Sequence, residues 1–348
     1  GQERLASWLF DQPPEPAQWA VRQAPIRELT PLSLLRDRLS LEAQAVEDAD
    51  IDGRRLLAVL QKRVDSPSFM PMLLTETFLA LATAGLMLAD LVYGIGNYWM
   101  LSFGLYAFLF LSVRSRSEEI FDHAQSLHRQ LERLSAAIGY LERRSYRAAP
   151  RLAELCRPLL QPDTSPSTSL KQAASVMNRL SVRAHPLVHY LTNAFGPWDL
   201  YHTYRLQHLQ DRIAAVAPQW FELLAELDAA ASLATFAYLH PDYPWPSLQQ
   251  PDDAAHLNGA GPILDAQGLA HPLIPAKARV ANHIVFQERG RMFLVTGSNM
   301  SGKSTFLRTI GINTCLAQAG GPVCAASFRW SLVRIGSCIR VDDSLDGG

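Results

Sequence analysis

The sequence predicts an α plus α/β protein, in which a long helical region precedes a smaller α/β unit. Three observations support this prediction. Apolar residues recur every three or four positions through most of residues 1–239, as on amphipathic helices. Within that region, residues 66–114 are almost uncharged and long enough for two apolar helices. From residue 255 onward, short apolar runs of strand type surround one glycine-rich loop, which is typical of an α/β unit.

These changes of pattern divide the chain into five segments. We predict a helical core segment at 1–65, an apolar helical hairpin at 66–114, a helical core and lever region at 115–239, a linker at 240–254 and an α/β unit at 255–348. The linker is assigned because it holds four prolines.

Several local signals predict element boundaries. A helix is expected to start at Thr30-Pro31, because a hydroxyl N-cap followed by proline is a common start signal. Another is expected to start at Ser117, which two glutamates follow. Pro218 is expected to interrupt the last helix. The strands are expected at residues 262–264, 273–274, 283–286, 292–295 and 331–335.

The composition limits the kind of partner and compartment. The 348 residues, 48% hydrophobic and 19% charged, are enough for two or three globular units. The 32 Lys and Arg balance 33 Asp and Glu, so binding to DNA would depend on a local basic patch. We interpret the cysteines as reduced thiols, with a disulfide pair as the alternative, because they lack metal-ligand spacing. They are Cys156, Cys315, Cys324 and Cys338.

The segment Gly297–Ser304 carries the most specific chemical signal in the chain. It matches the phosphate-binding pattern G-x-x-x-x-G-K-[ST] at every position, between an apolar strand-like run and a helix-forming segment. Gly297 lets the chain turn sharply, and Gly302 lets backbone N–H groups approach phosphate oxygens at a helix N-terminus. Lys303 supplies positive charge for the outer phosphates, and the Ser304 hydroxyl is placed to coordinate Mg²⁺. A chance match to a glycine-rich turn is the alternative.

The predicted binding residues are therefore the loop itself, with Lys303 as the catalytic residue and Ser304 as the metal ligand. They are Gly297, Ser298, Asn299, Met300, Ser301, Gly302, Lys303, Ser304 and Thr305.

The residues at the variable positions of this motif resemble the Walker A loop of the MutS superfamily, in which Asn-Met precedes a small residue and Gly-Lys-Ser-Thr. His271–Ile274 is similar to the His-Pro strand of that family, and Val280–Asn282 to the segment before its next strand. Asp342–Gly347 resembles the start of its signature loop, and Trp198–Leu200 a helix of its core domain. Further helical matches lie at residues 1–9 and 22–29, so the resemblance covers most of the chain except residues 66–114.

This resemblance implies a P-loop ATPase domain of the ABC type that binds ATP and Mg²⁺, pairs as a homodimer and moves helical levers. The family places an aromatic residue against adenine just before the position of Val280. Here Arg279 occupies that place, and its guanidinium plane is the candidate for stacking. Because the sequence ends at Gly348, before an acidic Walker B strand, we expect the 348-residue chain to bind nucleotide weakly and not to hydrolyse it. The mismatch-reading domain is also missing, so contact with DNA is expected to be weak and indifferent to mismatches.

The apolar hairpin predicts a membrane location. From residue 70 to residue 113 the only charged residues are Glu76 and Asp90, while Lys62, Arg63, Arg114 and Arg116 flank the segment. Aromatic residues lie near the turn at 94–97, as in an interfacial belt. We predict a transmembrane hairpin in a bacterial inner membrane with a cytoplasmic ATPase domain. The segment is similar to that of a bacterial subgroup of MutS-related proteins with predicted membrane spans. The alternative is a cytoplasmic protein with the hairpin buried.

Two other functions stay open beside the ATP-driven movement of levers. One is a membrane scaffold whose P-loop gates assembly without significant turnover. The other is a soluble DNA-binding repair ATPase of the MutS type. An acidic Walker B pair and measurable turnover would separate the ATPase from the scaffold, and membrane fractionation would separate both from the soluble enzyme.

Overall fold

The computed structural model describes residues 1–11, 13–47, 69–160, 165–180, 191–193, 196–249, 263–287, 292–298 and 301–336. This part of the chain is mostly helical and carries one small mixed sheet, which confirms the α plus α/β class. The chain divides into two compact units. The first comprises Gly1–Ser40, Tyr146–Leu155 and Leu223–Gly348, and the second comprises Leu41–Ser145 and Cys156–Glu222.

The elements are numbered in chain order. The helices are α1 (Gln2–Phe10), α2 (Pro16–Leu29), α3 (Ser33–Glu47), α4 (Phe69–Tyr93), α5 (Tyr98–Arg143), α6 (Pro150–Cys156), α7 (Pro166–Leu180), α8 (Trp198–Leu239) and α9 (Lys303–Gln318), with a 3₁₀ turn at Arg157–Leu159. The strands are β1 (Ser247–Leu248), β2 (Leu264–Leu269), β3 (Asn282–Phe286) and β4 (Ser327–Trp330).

The sheet of the first unit forms around β4 and β2. Its strand order is β1-β4-β2-β3, with β1 parallel to β4 and β2 antiparallel to both β4 and β3. Trp19 of α2 packs edge-on against Trp330 of β4, with ring centroids 6.1 Å apart. Alternate residues of β2 and β4 turn inward onto the same core, as a period of two requires. The buried members are Trp19, Leu264, Ala266, Leu269, Ala317, Val323, Phe328 and Trp330.

Three predicted helix boundaries are wrong. Thr30 caps the C-terminus of α2, where its hydroxyl donates to the carbonyl of Ile26 at 2.9 Å, and α3 begins only at Ser33. No helix starts at Ser117, because α5 runs without a break from Tyr98 to Arg143. Pro218 lies inside α8. A proline removes one helical hydrogen bond, but burial of Ala217 and Trp220 beside it keeps the helix continuous.

The strand predictions were correct only in part. The run at 283–286 falls within β3, and β2 begins at Leu264, the last residue of a predicted strand. Residues 273–274 form a turn, since Pro272 and Pro275 flank them and cannot donate to a ladder. Residues 292–295 and 331–335 are not strands in the described part of the chain, and β4 lies just before the second of these. β1 was not anticipated, because its two residues fall inside the predicted linker.

Helices α4 and α5 pack against each other on either side of the loop at 94–97. Between them the Thr83 hydroxyl donates to the Ser102 hydroxyl at 2.8 Å. Among the described residues, one helix is apolar and long enough to cross a membrane, from Met70 to Tyr93, and only 11% of its most apolar window is buried. The apolar part of α5, Tyr98–Ser112, is shorter.

In the second unit, Glu142 of α5 caps the start of α7. Its carboxylate accepts the backbone N–H of Ser167 at 3.0 Å and the hydroxyls of Ser165 and Ser167. We expect Glu142→Ala to lower the free energy of unfolding by about 1–2 kcal/mol, because these donors lose a charged acceptor. Chemical denaturation followed by circular dichroism measures the change.

The matched control for this prediction is Glu154→Ala. Glu154 makes an exposed ion pair with Arg151 at 3.2 Å, and such pairs contribute little to stability. Equal losses for the two variants would contradict the capping role of Glu142.

Candidate nucleotide-binding loop

Gly297 and Gly302 lie on either side of the residues that precede α9, and Gly302 stands directly before its N-terminus. Gly302 is the N-cap residue and has a left-handed backbone with φ 86°, which favours glycine. A side chain at Gly297 would force the Ser301 hydroxyl to move, because its Cβ would lie 2.8 Å from Oγ of Ser301. The first helical hydrogen bond runs from the N–H of Phe306 to the carbonyl of Gly302 at 2.8 Å. The local geometry therefore favours glycine at both positions of the motif.

The side chain of Lys303 folds back over the loop. Its Nζ donates to the carbonyl of Gly297 at 2.5 Å and to that of Ser298 at 2.6 Å. The backbone N–H of Ser301 also donates to the Ser298 carbonyl, at 3.3 Å. The ammonium thus joins the start of the loop to the start of α9, which places a positive charge beside the N-terminal end of a helix.

The other predicted loop residues are less constrained. Ser298, Ser304 and Thr305 are exposed, with Ser304 and Thr305 in the first turn of α9. Asn299 and Met300 lie outside the described residues, so the prediction for these two positions stays a prediction. The Ser304 hydroxyl is a hard oxygen ligand of the kind that Mg²⁺ prefers.

Arg279 and Val280 lie on the segment between β2 and β3. Arg279 donates from Nη1 to the Tyr243 hydroxyl at 2.5 Å and to Sγ of Cys324 at 3.1 Å. Its guanidinium also lies over the Tyr243 ring, 5.4 Å from the centroid. Burial raises the pKa of Tyr243, Cys324 raises it further and Arg279 opposes the rise. Val280 is exposed. The predicted base-stacking residue is thus held against a protein ring in this structure.

A buried polar network links Arg279 to the helix that follows the loop. Asn313 of α9 donates to the carbonyl of Ala270 at 3.0 Å and to that of Thr309 at 2.8 Å. Its Oδ1 accepts the N–H of Cys324 at 2.7 Å. Because Cys324 also contacts Arg279, α9 and the Arg279 segment are joined through satisfied buried groups. In the sequence, Asn313 stands out only as a polar residue in an apolar helix, which does not predict these contacts.

The same network reaches the C-terminal end of α8. Tyr243 stacks on His240 with ring centroids 4.6 Å apart, and His240 lies 4.7 Å from the ring of Phe236. Phe236 belongs to α8, so Arg279 is connected to this long helix through three rings. The sequence does not predict the role of Tyr243 either, because a tyrosine among prolines gives no sign that it contacts Arg279.

The opposite end of α9 is capped by the N-terminal helices. Trp19 donates from Nε1 to the carbonyl of Ala317 at 2.7 Å, and Arg22 donates to that of Gln318 at 3.4 Å. Burial lowers the pKa of Arg22. A cation at a helix C-terminus interacts favourably with the helix dipole. These contacts fasten the first helices to the loop helix.

Comparison with known proteins gives a direct result for this part of the chain. Residues 293–348 match the family model "MutS domain V". Together with the relatives below, this match decides the family. The chain belongs to the MutS superfamily.

Several bacterial and archaeal relatives share this MutS similarity. The chain is 37% identical to the DNA mismatch repair protein MutS of Chlorobium chlorochromatii over 128 residues, or 36% of this chain and 14% of that protein. It is 31% identical to MutS of Clostridium perfringens over 140 residues, or 40% of this chain and 14% of that protein. DNA mismatch repair protein MutS 2 of Halobacterium salinarum is 33% identical over 147 residues, or 41% of this chain and 15% of that protein. The match therefore spans about a seventh of each relative.

Proposed function

We propose that this chain is the nucleotide-binding part of a MutS-family ATPase, with ATP and Mg²⁺ held at residues 297–305. The observation that carries this proposal is the position of the Lys303 ammonium, which lies over the loop on the carbonyls of Gly297 and Ser298. Phosphate oxygens can replace those carbonyls as acceptors, and hydrogen bonds between charged groups are the stronger kind. The Ser304 hydroxyl would hold Mg²⁺, which when bound neutralises charge on the phosphate oxygens.

We also propose how the protein contacts the adenine base and how nucleotide binding moves a long helix. Arg279 and Val280 form the base-facing edge, where Arg279 stacks either on Tyr243 or on adenine. A shift of α9 would act through Asn313 on the Arg279 segment, and from there on the end of α8. This chain of contacts supports α8 as the lever. Pairing of two ATPase domains as a homodimer is part of the same proposal.

Thermal unfolding of the intact protein with and without MgATP tests the site. A ligand that binds only the folded state at a hundred times its Kd stabilises by about 2.7 kcal/mol. We expect a rise of the melting temperature with MgATP, and a smaller rise when EDTA removes Mg²⁺. No shift at millimolar MgATP would contradict the proposed site. Phosphate release measured on the same protein separates an ATPase from a scaffold that binds ATP without significant turnover.

We propose that the protein binds duplex DNA only with low affinity. With a net charge of −1, the protein has no general attraction for a polyanion, so contact with phosphates must come from local arginines. We expect duplex binding that falls steeply with salt and does not distinguish matched from mismatched duplexes. Fluorescence anisotropy with the two duplexes at several salt concentrations measures this. A clear preference for the mismatched duplex at physiological salt would favour the soluble repair ATPase instead.

We also propose that α4 and the apolar part of α5 hold the protein in a bacterial inner membrane, with the ATPase part in the cytoplasm. The support is the exposure of these apolar helices in the structure. Carbonate extraction of cell membranes tests the location. Recovery of the protein in the carbonate supernatant would contradict it and leave the nucleotide site untouched.

A further inference from the structure

The outer part of the α4–α5 hairpin carries no buried side chain. From residue 80 to residue 105 every position is exposed or half-buried, including those on the face where the two helices meet. The exposed apolar residues lie on the outer faces of both helices. A second hairpin could cover only one of these faces, whereas lipid surrounds them all. An apolar surface of this kind is therefore suited to a bilayer.

The inner end of this surface is marked by a buried polar cluster. Glu76 of α4 is 1% exposed, and Asp199 of α8 acts on its carboxyl group as a nearby like charge. Tyr106 of α5 donates its hydroxyl to the carbonyl of Asn193 at 2.5 Å, and the Asn193 side chain accepts the N–H of Asp199 at 3.1 Å. His202 is buried beside them, and burial followed by the charges of Arg179 and Arg205 lowers its pKa. Glu76 thus faces protein and not lipid.

The outer end of the surface also has a polar boundary. The carboxylate of Asp90 accepts the N–H of Gly96 at 2.9 Å within the loop. Tyr93 is exposed next to this loop. A charged residue and an aromatic ring at this end are the residues expected at a membrane interface.

Along α4, the separation of the two boundaries fits a bilayer. Tyr93 lies seventeen positions after Glu76, or about 26 Å at 1.5 Å per residue. On α5, Tyr98 lies only eight positions before Tyr106, or about 12 Å, so Tyr98 lies within the apolar surface and not at its outer end. The hydrocarbon core of a bilayer is about 30 Å thick. A mismatch of a few ångströms is tolerated by local thinning of the lipid.

The first turn of α8 has its own exposed aromatic residues at the inner boundary. Trp198 is 36% exposed and Tyr201 is 44% exposed, while Asp199 and His202 of the same turn are buried in the polar cluster. Tryptophan and tyrosine favour the headgroup level because their rings are apolar and carry one polar group. Both rings pack against the His202 ring, with centroids 4.5 and 5.1 Å away, and their other faces are exposed.

We infer that the first turn of α8 is a second lipid-contacting surface, with Trp198 and Tyr201 at the cytoplasmic headgroups and the hairpin crossing the hydrocarbon beside it. This inference rests on the proposed membrane association and adds where the helical unit meets the lipid. It also accounts for both acidic residues of the hairpin, since each lies at a boundary of the apolar surface.

The test places labels at three positions of the intact protein. In vesicles of phosphatidylethanolamine and phosphatidylglycerol, a fluorophore at Trp198→Cys should be quenched about twofold more by a headgroup nitroxide than by one deep in the acyl chains. In spheroplasts, Asn97→Cys in the loop should react with an impermeant maleimide added outside. Tyr238→Cys is the control, because it is exposed on the same helix but should be neither quenched nor labelled before detergent is added. The parent protein corrects for the native cysteines.

Each outcome decides a different point. Flotation in a density gradient shows whether the protein binds the vesicles. If it floats with them but the label at Trp198→Cys is not quenched, the lipid-contacting surface on α8 is refuted and the membrane proposal stands. If Asn97→Cys reacts only after detergent, the hairpin does not cross the bilayer and the inference fails. If the protein does not float, the membrane proposal and the inference both fail, and a soluble dimer on sizing would identify a second copy as the occupant.

A pair of tyrosine variants tests whether the Tyr201 ring contributes to the binding of the protein to lipid. Tyr201 and Tyr238 are both exposed on α8, and each has an arginine over its ring, Arg205 at 5.9 Å and Arg36 at 4.7 Å. We expect Tyr201→Ala to weaken partitioning into vesicles severalfold and Tyr238→Ala to leave it unchanged. Equal partitioning of the two variants would contradict a headgroup role for Tyr201.

Discussion

Lys303→Ala is expected to abolish ATP binding by the intact protein, with at least about a hundredfold loss of affinity, or roughly 2.7 kcal/mol. The ammonium is the positive charge that the loop offers to phosphate, and its present bonds are to two backbone carbonyls of the same loop. Its side chain belongs to no described core cluster, so the melting temperature without nucleotide should change little. Fluorescent-nucleotide titration measures the affinity.

Two variants support this experiment. Lys303→Met keeps most of the side-chain length without the charge, so an equal loss there assigns the effect to charge and not to a collapsed loop. Lys277→Ala removes an exposed lysine from the turn before Arg279 and should bind nucleotide as the parent does. If Lys303→Ala retained the affinity of the parent, the loop would not be a nucleotide site.

Leu101→Arg is expected to prevent membrane integration. Leu101 is 83% exposed on α5 and lies next to Ser102, which bonds to Thr83 near the middle of the apolar part of α4. An arginine at this depth costs roughly 2.5–3.5 kcal/mol. Asn97→Arg in the loop should cost little, because a charge there lies at the interface. The measurement is the fraction of protein that carbonate leaves in the membrane pellet.

A leucine outside the hairpin provides the matched control. Leu41 of α3 is 59% exposed, so Leu41→Arg makes the same chemical change on an exposed helix outside the apolar surface. It should leave the pellet fraction unchanged. Equal effects at Leu101 and Leu41 would indicate general misfolding and would remove the support for lipid around α5.

The long helices show which predictions a sequence can support. A period of three or four residues is a local property, so it identifies helical segments wherever they lie. It does not show whether a proline or a pair of acids ends a helix. Pro218 and Ser117 both carry such signals, and α8 and α5 continue through them because tertiary packing outweighs a local preference of this size.

The sequence by itself determined the phosphate-binding motif at residues 297–304, the resemblance to MutS and the apolar character of residues 66–114. These depend on residues adjacent in the chain, so their spacing is sufficient. Only the tertiary structure decided that Arg279 lies on Tyr243, that Asn313 joins α9 to Cys324, and that Glu76 is buried beside Asp199. Each of these pairs brings together residues distant in sequence, so spacing alone could not predict them. Arg279 and Asn313 find hydrogen-bond partners there, as buried polar groups require, whereas Asp199 is a like charge near Glu76 and not a partner for it.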